Sequence, residues 1–396
     1  MFERLRYLTS GESHGKALLC ILEGIPSNLP ISASDINKDL LRRQRGYGRG
    51  GRMKIESDTA QILSGVRLGK TTGSPITVLI ENRDWQKEMG GFVTCPRPGH
   101  ADLAGAMKYN THDIRDILER SSARETAVRV AAGAIAKKFL REFNIRIISY
   151  VVEIGGVAAG FSLGSQESGV GSQESIVEEM FERAEASPVR CPDKEAEKRM
   201  IDRIDEAGKK GDSLGGIFEV VALSVPVGLG SFTQWDRRLN ARLSYAITGI
   251  QAIKGVEIGL GFEMSRRFGS EVMDEIFYTP SLSLPSGGGV GFYRRTNYAG
   301  GIEGGISNGM PIVLKAAMKP IPTLKTPLRS VDIVSKKSFK AHYERSDVCA
   351  VPSASVIGEA ATALVIADAF LEKFGGDSME EVKRNYEGYL KQIREF

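Results

Sequence analysis

Residues 42–54 read Arg-Arg-Gln-Arg-Gly-Tyr-Gly-Arg-Gly-Gly-Arg-Met-Lys: five arginines, one lysine and four glycines in thirteen positions, with no acid among them. Guanidinium forks pair with phosphate or carboxylate, and glycines let backbone N–H groups come close to the same oxygens. The stretch is suited to holding a multiply charged small molecule, and its flanks restrict the folds that can carry it. Gly46-x-Gly48-x-x-Gly51 matches the dinucleotide fingerprint letter for letter, but that fingerprint needs a strand before it and a helix after it. Here a polar helix over about 34–44 precedes the loop and an extended run, 53–58, follows it, so a Rossmann loop is excluded. Gly65-Val-Arg-Leu-Gly69-Lys70-Thr71 has three residues between its glycines where a P-loop needs four. The Thr-Gly-Ser-Pro after it cannot open a helix well, so a P-loop is excluded too.

A solvated basic loop and an Arg/Gly segment that binds RNA are the competing readings of this run. The whole chain carries +4, of which residues 42–54 supply +6, leaving −2 for everything else. A nucleic-acid binder is expected to spread its basic face over the fold, so the charge argues against RNA. At 396 residues, with 41% hydrophobic and 26% charged residues, the composition is that of a soluble globular protein. No linker rich in Pro, Ser or charge divides the chain, which predicts one large, interwoven domain. Cys20, Cys95, Cys191 and Cys349 are scattered without a CxxC pair or metal spacing, as expected of reduced thiols in a cytosolic protein. The apolar run 17–22 is too short to span a membrane, and the N-terminus has no expected export signal.

Two turns carry histidines. Gly11-Glu12-Ser13-His14-Gly15 sets an acid, a hydroxyl and an imidazole between glycines after a short strand over 5–9, and Cys95-Pro-Arg-Pro-Gly-His100-Ala-Asp102 is stiffened by two prolines. A histidine in a glycine-bounded turn is less often core filling than one on an apolar face, which makes His14 a functional candidate. Ser32 or Ser34 can cap the helix before the arginine run, with Ile36, Leu40 and Leu41 as its inner face. Its C-terminal end, where the dipole favours cations, delivers Arg42, Arg43 and Arg45. Ser121, Ser122 and Arg124 precede a helix marked by Val128, Ala132, Ile135, Phe139 and Phe143. They form an anion site at its N-terminus, unless the Ser and Glu residues there serve only as a capping box.

Strands are expected over 145–154, 217–225 and about 254–262, and helices at about 175–187, 193–209 and 235–252. Ser353 caps a long apolar helix that Gly375-Gly376 stops near 374, and a final amphipathic helix starts at Ser378. Gly-Ser-Gln-Glu-Ser occurs at 164–168 and again at 171–175, a duplication read as a polar surface insert. Five glycines within 299–309 imply that a ligand or another backbone passes close. Lys319-Pro-Ile-Pro-Thr323 is a rigid extended segment ending in a hydroxyl.

Residues 11–15 (GESHG), 42–53 (RRQRGYGRGGRM), 97–102 (RPGHAD), 121–127 (SSARETA), 300–309 (GGIEGGISNG), 319–323 (KPIPT) and 344–352 (ERSDVCAVP) together resemble the chorismate synthase family. They lie in that family's order and cover about 5–370. The resemblance implies an α+β fold with a helical core sandwiched between antiparallel β-sheets. It would form a single domain over 1–396, with a helical tail at about 378–396. It implies a lyase of the shikimate pathway that converts 5-enolpyruvylshikimate 3-phosphate into chorismate and phosphate by 1,4-elimination, using reduced FMN without net redox change. It further implies a cytoplasmic homotetramer with no nucleic-acid or membrane partner.

That substrate bears a phosphate and two carboxylates, which only a dense array of fixed cations can take out of water together. Arg42, Arg43, Arg49, Arg52 and Arg124 are the array expected. By resemblance, FMN contacts fall to Arg120, Ser121, Ser122, Gln251, Ala252, Gly304, Gly305, Lys319, Pro320, Ile321, Pro322, Thr323 and Arg345. Arg43 and Arg49 match positions that meet NADPH where it serves as reductant. His14 and His100 match the family's two acids, one towards the leaving phosphate or substrate and one towards the flavin. Asp347 matches the acid near the flavin's reactive nitrogen.

His112 and His342 lack such support and are read as structural. No segment resembles a reductase domain, so an external reductant is expected. The sequence departs from the family pattern at Thr248-Gly249-Ile250-Gln251, in the short segment between Asp84 and Cys95, and in the 164–175 duplication. A metallohydrolase using Glu12, His14, His100 and Asp102 is the remaining alternative. Its ligands would be two sparse pairs without the partners that metal sites carry around them.

Overall fold

The structure, a computed structural model, describes residues 3–50, 57–85, 91–161, 173–278, 291–344 and 346–396. Its main helices are α1 (Ala33–Gln44), α2 (Asp102–Tyr109), α3 (Arg115–Ser121), α4 (Thr126–Arg141), α5 (Gln173–Ala186), α6 (Lys194–Lys210), α7 (Leu239–Thr248), α8 (Val351–Phe374) and α9 (Met379–Arg394). Strands β1 (Arg6–Ser10), β2 (Ala17–Glu23), β3 (Ala60–Ile62) and β4 (Ile76–Glu81) form one antiparallel sheet in the order β1-β2-β4-β3. Strands β5 (Arg146–Ile154), β6 (Val157–Ala158), β7 (Gly216–Leu223), β8 (Ile253–Ile258) and β9 (Ile312–Met318) form a second, in the order β8-β9-β7-β5-β6.

The layering follows from α8. Apolar residues run all round this helix, so no face of it can be left to water. It packs on α1, α4 and α7 and against β5 and β7, while α4 lies on β2 and β4. One apolar core therefore passes from Leu18, Leu22 and Ile80 of the first sheet, through Ile135 and Phe139 of α4 and Phe370 of α8, to Phe218 and Val220 of the second. Successive side chains of a strand alternate between faces, and the outward residues Ile148, Tyr150 and Val221 take Val177, Met180 and Ala184 of α5 as cover. By length and composition α8 could cross a membrane, yet 94% of its apolar window is buried inside the protein.

Two features of α8 fix its neighbours. A side chain at Gly133 of α4 would put its Cβ 2.3 Å from Ala360 Cβ, so the two helices cross with their backbones close. Near its far end, Asp368 accepts hydrogen bonds from the backbone N–H groups of Arg4 and Leu5 at 2.8 and 2.7 Å and pairs with Arg242. The first residues of the chain are thus tied to nearly its last helix.

Several expectations are corrected. Leu41 is exposed, and Asp39 and Arg43 join Ile36 and Leu40 on the buried face of α1. Ala350, not Ser353, occupies the N-cap of α8, and Ser353 Oγ instead donates to the Arg43 carbonyl at 2.8 Å. The 235–252 helix is a 3-10 turn, Trp235–Arg237, followed by α7. The 164–175 duplication lies mostly outside the described residues, but α5 already begins at Gln173 within its second copy. In the glycine-rich 299–309 segment the close neighbour is backbone: a Cβ at Gly300 would fall 2.3 Å from Gly259 N, and one at Gly301 2.5 Å from Pro311 O.

Candidate functional site

The turn between β1 and β2, the loop after α1, the 97–102 turn, the α3–α4 junction, the 319–323 segment and the start of α8 enclose a cavity of about 590 Å³. That is ample for small-molecule ligands. His14 and His100 both line it. His14 Nδ1 lies 2.8 Å from Glu119 Oε1, and the His14 backbone N–H donates to Glu119 Oε2 at 2.7 Å. Burial pushes the Glu119 carboxyl up, but the hydrogen bonds from His14 and the charge of Arg115 outweigh it and hold the group below the ordinary range. His100 repeats the arrangement, its Nδ1 2.5 Å from Asp102 Oδ1. Asp102 also accepts from the Arg97 backbone N–H and Nε at 3.0 and 2.8 Å. Burial again opposes ionisation of Asp102, and His100 and Arg97 overcome it. A carboxylate on Nδ1 selects the ring orientation and favours a proton there; for His14 this leaves Nε2 as the nitrogen to exchange one, whereas Nε2 of His100 also lies 3.3 Å from Arg97 Nη2.

Besides Arg97, three more arginines line the same space. Arg43 donates through Nε and Nη2 to Thr126 Oγ1 at 3.0 and 2.9 Å, and its Nη1 is 3.4 Å from Asp58. Arg124 donates to Asp58 Oδ1 at 2.6 Å and through Nε to Asn82 Oδ1 at 2.9 Å. Arg49 pairs with Asp347 Oδ2 at 2.8 Å, while Asp347 Oδ1 accepts the Gly50 N–H at 2.6 Å. Burial is the main reason that the Arg43 guanidinium is lowered to about 10. Asp58 works against that shift, and Arg124 and Arg49 add to it. Positive charge is crowded and dry here, a state that a bound anion relieves.

Arg42, expected among these cations, does not line the cavity. It donates to Glu359 Oε1 and Oε2 at 2.7 Å each and to Asp39 Oδ1 at 2.8 Å, and it also grips Glu185. Lys137 joins at 2.6 Å from Glu359 Oε2. Burial pushes the Glu359 carboxyl up, but Arg42 and Lys137 hold it well below its usual range. Successive helical residues point about 100° apart, so Arg42 and Arg43 serve different faces of α1.

Arg120 also lies off the cavity, donating to the Gly11 and Thr9 carbonyls at 3.0 and 2.9 Å. Gly304 and Gly305, at the turn between strands Ile302–Glu303 and Ile306–Ser307, are not among its lining residues either. Gly305 packs on Arg238. Pro320 is not among the lining residues, whereas Lys319 and Ile321 are. Arg52 and Arg345 lie outside the described residues.

The remaining expected flavin contacts do border the cavity. Ser121, Ser122, Gln251, Ala252, Lys319, Ile321, Pro322 and Thr323 line the cavity together. Gln251 Oε1 and Arg49 Nε are buried with no hydrogen-bond partner among the described residues, which leaves an acceptor and a donor open for a polar ligand. Burial, with repulsion from Lys254, lowers the Lys319 ammonium. This cation, with no ion-pair partner among the described residues and close to Gly99, suits the phosphate end of a mononucleotide. The donor set therefore fits FMN. Among the described residues no group of three or more His, Cys, Asp or Glu could hold a metal ion.

Sequence reading missed Asp58, Asn82, Arg97, Arg115 and Glu119. Arg97 had a signal, standing between two prolines three residues before His100. The others had none, since each is a single polar residue with no local pattern. His342, read as structural, is 2.9 Å from Glu344, which also accepts from Arg115 at 2.8 Å. The hydrogen bond from His342, aided by Arg115 and opposed by burial, lowers Glu344 to about 2.

A family model described as chorismate synthase matches residues 5–371 of the chain. The chorismate synthase of Aquifex aeolicus (strain VF5) is 57% identical over 404 residues, covering 99% of this chain and 99% of that protein. That of Geobacter sulfurreducens (strain ATCC 51573 / DSM 12127 / PCA) is 58% identical over 405 residues, covering 99% of this chain and all of that one, 100%. A crystal structure of chorismate synthase matches with a TM-score of 0.81 at 49% identity, covering 100% of both chains.

Proposed function

The chain belongs to the chorismate synthase family, and from that premise we propose that the cavity bounded by the two histidine turns is its active site. The enzyme is a carbon–oxygen lyase of the shikimate pathway: it eliminates phosphate from 5-enolpyruvylshikimate 3-phosphate to give chorismate and requires reduced FMN. The observation that carries the site assignment is the convergence of two carboxylate-backed histidines with Arg43, Arg49 and Arg124 on one cavity.

Arg43, Arg49 and Arg124, with Arg52, bind the phosphate and carboxylates of the substrate. The fixed forks of Arg43, Arg49 and Arg124 replace the water those groups lose. Glu119 orients His14 so that its transferable proton is carried at Nε2 and delivered to the leaving phosphate. Asp102 and Arg97 orient His100, the acid taken to act towards the flavin. Asp347, anchored by Arg49 and Gly50, lines the same cavity and is the acid taken to act towards the flavin's reactive nitrogen. Ser121, Ser122, Gln251, Ala252, Lys319, Ile321, Pro322 and Thr323 would hold FMN, with Arg345 completing the set. When bound, the reduced flavin supplies electron density that the elimination borrows and returns.

The same reading takes 1–396 as one domain, supported by the core shared between both sheets. It takes the protein to be cytoplasmic, supported by four free thiols. It also takes the protein to be a homotetramer, supported by exposed Phe232, Trp235, Phe262 and Phe268. NADPH acts only as a reductant, supplied through an external system.

An anaerobic assay with dithionite-reduced FMN tests the function: chorismate and phosphate should form in equal amounts, and absence of both rules the reading out. Chorismate formed from NADPH and oxidised FMN without any added reductase would overturn the external-reductant part alone.

A further inference from the structure

Asn82 follows β4 directly and is 3% exposed. It does not line the cavity, but its side chain bonds to two pieces that do. Nδ2 donates to the carbonyls of Glu12 and Gly15 at 3.1 and 2.8 Å, straddling Ser13 and His14. Oδ1 accepts from Arg124 Nε at 2.9 Å. The Asn82 backbone N–H adds a bond to the Lys16 carbonyl at 3.0 Å, just beyond the turn. Both amide N–H donors are therefore spent on the histidine turn, and the amide oxygen takes the arginine.

Each partner has other supports, Ser122 Oγ linking Ser13 Oγ to the Arg124 backbone N–H among them, but the carboxylates that hold the two side chains do not join them. Glu119 grips His14 from α3, and Asp58 takes Arg124 Nη1 from the segment before β3. The Asp58 contact on Nη1 holds one end of the guanidinium. A second on Nε fixes the plane of the fork, and with it the direction in which the fork meets an anion. Asn82 makes that second contact with the same planar group that pins the turn, so a shift of the turn is transmitted to the arginine. A rigid amide between them sets their separation in a way that two independent carboxylates cannot.

We propose that Asn82 is a positioning residue that fixes the His14 imidazole and the Arg124 guanidinium relative to each other, so that the proton donor and the anion clamp meet one substrate together. This rests on the roles given above to His14 and Arg124. Misplacement of a reacting group by about 1 Å costs on the order of 10²-fold in rate, and loss of one fixed charge-assisted contact costs roughly 10-fold or more in affinity.

The test is a pair of double-mutant cycles built on Asn82→Leu, which keeps the side chain's bulk and removes its hydrogen bonds. Turnover is measured with reduced FMN, and the Kd for 5-enolpyruvylshikimate 3-phosphate is measured calorimetrically without reduced flavin. Asn82→Leu should lower kcat about 10²-fold and weaken Kd about 10-fold. The kcat loss should vanish in a His14→Ala background, and the Kd loss in an Arg124→Ala background. Effects that remain fully additive in both backgrounds overturn the proposal. So does a variant that melts earlier yet keeps both kcat and Kd.

Should Asn82→Leu not fold, Asn82→Asp retains the acceptor for Arg124 and loses both donors to the turn. It should then show the His14-dependent kcat loss, and a normal kcat overturns the proposal. If His14→Ala itself turns over normally, the fault lies in the role given to His14, whatever Asn82 does.

Discussion

Arg42→Ala and Arg49→Ala separate two uses of one side chain within a single run. Arg42 neutralises Glu359, whose side chain is 0% exposed, and removing one partner of a buried pair costs about 3–5 kcal/mol. Chemical denaturation of Arg42→Ala should show that loss while substrate Kd stays unchanged. Arg49 faces the cavity, so Arg49→Ala should instead weaken substrate binding by roughly 1.5–3 kcal/mol with little change in stability. The reverse pattern would mean that the two arginines have been assigned the wrong way round. His14→Ala should bind substrate but turn over about 10²- to 10⁴-fold slower, with stability within about 1 kcal/mol of the parent. Near-normal turnover with early melting would make His14 a packing residue. The two histidines were legible because turn chemistry is local: glycine and proline around an imidazole can be read from five adjacent letters. Arg42 was misread because composition does not say which face of a helix each arginine takes. Its partner Glu359 lies 317 positions away.

At the scale of elements, the α4–α8 crossing depends on a missing side chain. Replacing a mid-helix glycine by alanine ordinarily gains up to about 1 kcal/mol of helix propensity. At Gly133 the new Cβ would sit 2.3 Å from Ala360 Cβ and 2.5 Å from its Cα, and overpacking of this kind costs about 1–3 kcal/mol. The clash should win, so Gly133→Ala should lower the denaturation midpoint and Gly133→Val should lower it further; a rise would show that the helices can part freely. Both helices were readable in sequence, α4 from its period and α8 from its unbroken apolar run. The amphipathic pattern read for α4 understated its burial, because α8 covers the side that would otherwise be polar. The sheets were less readable. Several strands were expected, but Arg146 of β5 pairs with Leu223 of β7 and Ile258 of β8 with Leu314 of β9, and nothing local announces partners that far apart.

Across the whole molecule, ionised carboxylates are held in place by nearby cations. Glu119, Glu125, Glu185 and Glu359 are all lowered in the folded protein against the opposing effect of burial, and Glu344 is lowered to about 2. A carboxylate with a depressed folded value binds fewer protons folded than unfolded. Its stabilisation is therefore complete above the unfolded value of about 4.3 and is lost as pH falls through the folded one. Urea midpoints should be flat from about pH 7 to 5 and drop steeply from about 4.5 towards 2; a flat profile down to 3 would contradict these pairings. The position of α8 also bears on how the chain is made. This helix fills the space between two sheets whose strands are all synthesised before it, and it holds Arg4 and Leu5 through Asp368. While the ribosome is still upstream of residue 351, both sheets have inner faces and no centre to close on. Nascent chains stalled before α8 should stay protease-sensitive and bind chaperones, and resistance should appear in one step once residue 374 clears the exit tunnel. Strand β1, translated before every other strand of the two sheets, is then among the last to be secured, and the cavity at the N-terminus of α8 forms only once that helix has been made.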